Sequence, residues 1–142
     1  MKKRIIVPVV ALLVSVSALL LGAEENYTYN DNIKTILNQN GCIGCHSYMG
    51  TYDALMARIS TSSKTKDVPV VYPAKADSSV VVWRLEGELP DGSSIDLMPM
   101  GGSKLASATI QQVRDWIDQG APEETVGVDD TKKWGEIKSL FK

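Results

Sequence analysis

The sequence predicts an all-α domain of about four short helices joined by polar loops. Three observations carry this. Four segments space their apolar residues three or four apart, as one buried helix face requires. Gly41 and Gly120 stand just past two of them, where a helix-stopping glycine belongs. The one β-branched run, residues 68–71, is interrupted by Pro69, so any strand there is short or absent.

The elements follow in order. Residues 24–29 are polar and aromatic and read as a leader. Asn30 or Asp31 can cap the first helix, whose face carries Ile33, Ile36 and Leu37. Gly41 ends it, and Cys42-Ile43-Gly44-Cys45-His46 follows at once. A second helix is expected over 52–59, with Leu55, Met56 and Ile59 inward. Residues 60–67 form a polar loop. Asp77 can cap a third helix to about Glu86, with Val80, Val81, Trp83 and Leu85 as its apolar surface. Residues 87–104 are rich in Gly, Pro, Ser and Asp and must be a loop, holding Met98-Pro99-Met100-Gly101-Gly102. The last helix spans about 107–119 and puts Ile110, Val113, Trp116 and Ile117 on one side. Ser103 or Ser107 is its expected cap, and Pro122 confirms its end.

A chain of 142 residues is one domain with tails. The expected organisation is a signal peptide or N-terminal anchor at 1–23, a domain over 30–122 and a tail over 123–142. The chain has one Phe, so large aromatic packing is expected to be sparse. A bound apolar cofactor would help it complete a core.

Lys2, Lys3 and Arg4 precede an apolar run over residues 5–23 that ends in small residues. That is the pattern of an export signal. The run is barely long enough to span a bilayer uncleaved. Either outcome places the domain in the periplasm or otherwise outside the cytoplasm, with membrane contact only if the segment stays. Losing 1–23 removes three cations and no acid, moving the net charge from −2 to −5. An acidic domain lacks the basic footprint that nucleic acid needs. The tail carries Trp134, Ile137 and Phe141 at weakly amphipathic spacing, expected to pack on the domain's own surface.

The chemistry sits in Cys42-x-x-Cys45-His46. Two thiols three residues apart on a helical turn can each reach one vinyl group of a haem. The next residue, His46, is then held at the iron as an axial ligand. Cys42 and Cys45 are the only cysteines and His46 the only histidine. A structural zinc site wants four ligands, and these residues offer three. A thioredoxin-like motif needs a βαβ context that is missing. A plain disulfide leaves His46 unexplained. One covalent haem c is the reading that uses all three residues.

The sixth ligand follows by elimination. No second histidine exists, and methionine is the usual partner in electron-carrying cytochromes. Met1 lies in the signal, and Met49 and Met56 follow the attachment site too closely to cross the iron. Met98 and Met100 remain. Met98 is favoured because Pro99 stiffens the residue after it, with Met100 as the alternative.

From about Ile33 to Pro122 the chain resembles a class I c-type cytochrome domain, in particular the bacterial Planctomycete-type variety. The resemblance lies in the haem motif and in Tyr52-Asp53-Ala54-Leu55-Met56 after it. It continues in Pro73-Ala74-Lys75-Ala76-Asp77-Ser78-Ser79, in Met98-Pro99-Met100-Gly101-Gly102 and in Arg114-Asp115-Trp116-Ile117-Asp118-Gln119-Gly120-Ala121. Met100 replaces the family's second proline, and Ala106 replaces its capping Ser or Thr. The resemblance implies a cytochrome c-like fold around one haem, with Met98 as the axial methionine. A six-coordinate iron leaves no site for substrate, which implies an electron carrier with redox protein partners and not an enzyme. The alternative is a haem sensor or peroxidase-like module with an open sixth position.

Overall fold

The computed structural model describes residues 25–125. The expected signal or anchor at 1–23 and the tail residues Trp134, Ile137 and Phe141 lie outside them. The described residues are helix-rich. Their β content is two isolated antiparallel bridges, Ile59 with Pro69 and Glu88 with Ser94.

The first helix begins at Thr28, earlier than the Asn30 or Asp31 cap expected. Thr28 is extended (φ −123°, ψ 160°), and its side chain accepts the Asp31 amide at 3.1 Å. Asn32 Oδ1 accepts the Thr28 amide at 2.9 Å. This is the reciprocal logic of a capping box stretched by one residue, because the first turn, Tyr29–Ile33, is a π turn. It runs into α1 (Lys34–Gln39). The expected leader is therefore partly core. The Tyr29 amide donates to the Pro122 carbonyl at 2.9 Å, and the Asn30 amide to Glu123 at 3.1 Å. These bonds tie the two ends of the domain together. Tyr29 itself is 1% exposed.

Gly41 stops the helix in the left-handed region (φ +71°) and so lets the chain re-enter a helical turn at once. That turn is α2 (Cys42–Cys45). A 3-10 turn, Ser47–Gly50, and α3 (Tyr52–Met56) follow. α3 is shorter than expected: Ile59 bridges to Pro69 and is left 44% exposed. The 60–67 loop is polar but not wholly solvated. Ser60 and Thr65 are buried and joined hydroxyl to hydroxyl at 2.7 Å, as buried polar groups require.

α4 (Val80–Glu86) starts after a 3-10 turn, Ala76–Ser78. Asp77 does not cap it, for it pairs with Arg114 of the last helix. Ser79 holds the cap position without a capping bond. Its hydroxyl instead donates to the Lys75 carbonyl (3.0 Å) and accepts the Tyr72 amide (2.8 Å). Seven residues with three valines make a poor isolated helix. Burial of Val80, Val81, Val82 and Leu85 holds it in place. Gly87 ends α4 at φ +81°, and a Cβ there would meet Leu97 Cδ1 at 3.2 Å.

α5 (Ser107–Asp118) buries Ile110, Val113, Trp116 and Ile117, the face expected. Ala106 stands at its cap position, and neither Ser103 nor Ser107 supplies a capping side chain. Its end is a Schellman closure: Gly120 N–H to Ile117 O (2.9 Å) and Ala121 N–H to Trp116 O (2.9 Å). The π turn packs against α5, and Tyr29 gathers Tyr52 of α3 and Trp116 of α5 with ring centroids 5.7 and 6.4 Å away. Tyr29 and Trp116 are the aromatic members of an otherwise aliphatic buried core, with Tyr52 partly buried against them.

Candidate functional site

The site grows from α2. Cys42 and Cys45 sit at the two ends of this single helical turn, and the His46 amide closes it on the Cys42 carbonyl at 2.8 Å. Cys42 is half-buried, Cys45 is exposed, and the two thiols are unbonded. Burial pushes the Cys42 thiol up from its ordinary pKa. A half-buried neutral thiol packs as a small hydrophobe. Among the described residues no three His, Cys, Asp or Glu side chains converge to hold a metal ion.

Cys42, His46 and Met98 all line one cavity of about 820 Å³, its open mouth included. Ligand pockets are mainly apolar. Leu37, Met49, Val70, Val80, Val81 and Leu85 supply the apolar lining here. The 3-10 turn after His46 contributes Met49, whose amide bonds the His46 carbonyl at 2.8 Å. Met49 is therefore tied to the histidine's own turn. Met98 comes from the Pro/Gly loop, and its amide donates to the Arg84 carbonyl at 2.8 Å. Met100, two residues on, is 76% exposed and does not line the cavity. Cys45 does not line it either.

Several lining residues were not legible as site residues. Tyr48 lies beside His46, ring centroids 5.7 Å apart, and Arg58 stands 4.9 Å over the Tyr48 ring. Burial raises the Tyr48 pKa, with Arg58 pulling it down and Cys42 adding to the rise. Arg58, Ser60, Ser62 and Arg84 form a polar part of the lining. One signal for Arg84 was available: it falls a helical turn after Val80 and beside Leu85 in sequence, a lone cation among apolar residues.

This donor set suits a flat apolar cofactor with a metal at its centre. One thiol, one imidazole and one thioether reach a cavity whose other walls are largely hydrocarbon. No helix among the described residues is long and apolar enough to cross a membrane. No known protein family, curated protein or solved structure matches this chain.

Proposed function

We propose that this protein is an exported, single-haem c-type cytochrome that carries electrons between redox proteins. The observation that carries the reading is the meeting of Cys42, His46 and Met98 in one apolar cavity, although Met98 lies more than fifty residues from the histidine. A disulfide or a zinc reading of the cysteines gives no reason for that meeting.

Haem bound there would supply a one-electron iron couple. The chain's own residues define the rest. Cys42 and Cys45 would each add sulfur and hydrogen across a vinyl group and so fix the cofactor against α2. His46, directly after the helical turn, and Met98, on the loop, would hold the iron. The valines and leucines of the lining exclude water, which disfavours the extra charge of ferric iron. Methionine ligation acts in the same direction, and both raise the potential.

Denaturing electrophoresis of protein matured in a haem-competent host tests the attachment. The band should keep its haem stain, and the mass should exceed the chain's by one haem. Cys42→Ala should leave one thioether or an unstable product. Stain lost on denaturation would defeat the proposal. Met98→Ala should abolish the weak far-red sulfur-to-iron band, open the ferrous iron to carbon monoxide and lower the potential. Met100→Ala should leave all three nearly unchanged. Carbon monoxide binding by the unaltered protein would favour a sensor or peroxidase-like module instead.

A further inference from the structure

We propose that Arg84 is a latch that holds the Met98 loop on the cavity and so sets how firmly the methionine sulfur is offered there. The inference rests on the reading of Met98 as an iron ligand.

Arg84 joins three segments. Its guanidinium donates to Ser62 Oγ of the 60–67 loop at 2.8 Å. Its other terminal nitrogen donates to the Asp96 carbonyl and carboxylate, each at 3.3 Å. Its backbone carbonyl accepts the Met98 amide at 2.8 Å. The side chain is 16% exposed, whereas that of Asp96 is 86% exposed. The ion pair itself is therefore largely screened and contributes little. The weight falls on the bonds to Ser62 and to the Asp96 backbone. Those bonds fix the residue two before Met98, and the Arg84 carbonyl fixes Met98 itself.

The need for a latch comes from the loop. Residues 87–104 include four glycines and two prolines and contain no helix. Ordering such a segment costs conformational entropy at every residue. Ile95 and Leu97 pack it beside Gly87, but Met98 is only partly buried and its neighbour Met100 is free in solvent. A methionine sulfur is a neutral ligand on a flexible stem. How often it meets the iron depends on how well the backbone beneath it is held. An arginine bonded to both flanking loops suits that task, since its planar fork loses little freedom per bond formed.

The test uses the full chain with covalent haem. Arg84→Met and Arg84→Lys are compared with Arg114→Gln, which breaks the ion pairs of α5 with Asp77 and Glu86 outside the cavity. Two quantities are read: hydrogen exchange of residues 95–102 and the affinity of ferric protein for imidazole. Arg84→Met should raise both by about tenfold, the lower end for lost hydrogen bonds to a charged group. Arg84→Lys should recover part of the change. Arg114→Gln should lower the melting temperature and leave both readouts alone. Ser62→Ala should move both in the direction of Arg84→Met, and it serves if Arg84→Met does not fold. Unchanged exchange and imidazole affinity in the Arg84 and Ser62 variants, with a far-red band in the unaltered protein, overturn the latch alone. A far-red band missing from the unaltered protein overturns Met98 ligation, and the latch with it.

Discussion

The side of the molecule where the π turn meets α5 and the side that faces the cavity solve the same problem differently. Around Tyr29, Tyr52 and Trp116 the chain completes its own packing. Each aromatic polar tip finds a carbonyl: Tyr29 bonds Met49 O (2.8 Å), Tyr52 bonds Ala121 O (2.9 Å) and Trp116 bonds Pro122 O (3.0 Å). Val80, Val81 and Leu85 are buried too, but part of their surface lines the cavity. A hydrophobic wall without partner atoms forgoes dispersion contacts. The first side packs protein on protein, and the second turns its apolar side chains to a cavity.

The largest expected effect comes from the packed side. Trp116→Ala should cost about 3–5 kcal/mol, the usual cost of deleting a buried large aromatic. It also frees the Pro122 carbonyl that holds Tyr29. Urea unfolding measures this. A loss below about 1 kcal/mol would mean that this side is not the stabilising one.

Gly87→Val should come next, at roughly 1–3 kcal/mol, because it forces a branched residue into the left-handed region. Its Cβ would also crowd Leu97 beside the Met98 loop. Thermal melting should show the loss. The imidazole affinity of haem-loaded protein should rise at the same time, which links the strain to the cavity side.

Val81→Ala sharpens the comparison from the cavity side. In protein without cofactor it should cost about 1–2 kcal/mol, as removal of two buried methyl groups beside a cavity. In loaded protein the same change should cost more. Equal losses in the two forms would show that nothing packs against this wall.

The smallest effect at neutral pH, and a growing one above it, concerns the tyrosines. Burial raises Tyr29, Tyr48 and Tyr52 above the ordinary value of 10.0. Their folded pKa values therefore exceed the unfolded ones, so folding favours the protonated form. The resulting stability is fully present below pH 10 and is lost as pH rises through the folded values. The urea midpoint should stay flat with pH up to about 10 and fall beyond it. Tyr29→Phe should weaken that fall even though it lowers the midpoint at neutral pH by removing the bond to Met49.

Sequence patterning located the helices well where one face does one job. Ile110, Val113, Trp116 and Ile117 are buried at the spacing expected. The stop at Gly41 and the turn carrying Cys42 and Cys45 followed from local backbone rules, which act within a few residues. The caps were less legible. Thr28 caps the first turn through Asp31 and Asn32, ahead of the Asn30 or Asp31 cap expected from Ile33, Ile36 and Leu37, because that turn is a π turn. Asp77 looked like a cap, but Arg114 on a distant helix claims its carboxylate. Ile59 looked like a helix residue until the bridge to Pro69 drew the chain out of α3.

The sequence by itself determined the all-helical character, the α2 turn with its two thiols, and the histidine held directly after them. Each of these depends on neighbours within one or two turns, where spacing dictates geometry. Only the tertiary structure decided that Met98, and not Met100, lines the cavity with His46. It alone placed Arg84 between Ser62, Asp96 and Met98. A loop without periodic signal carries no local instruction for where its side chains go. Its course is set by the bonds that distant segments offer it.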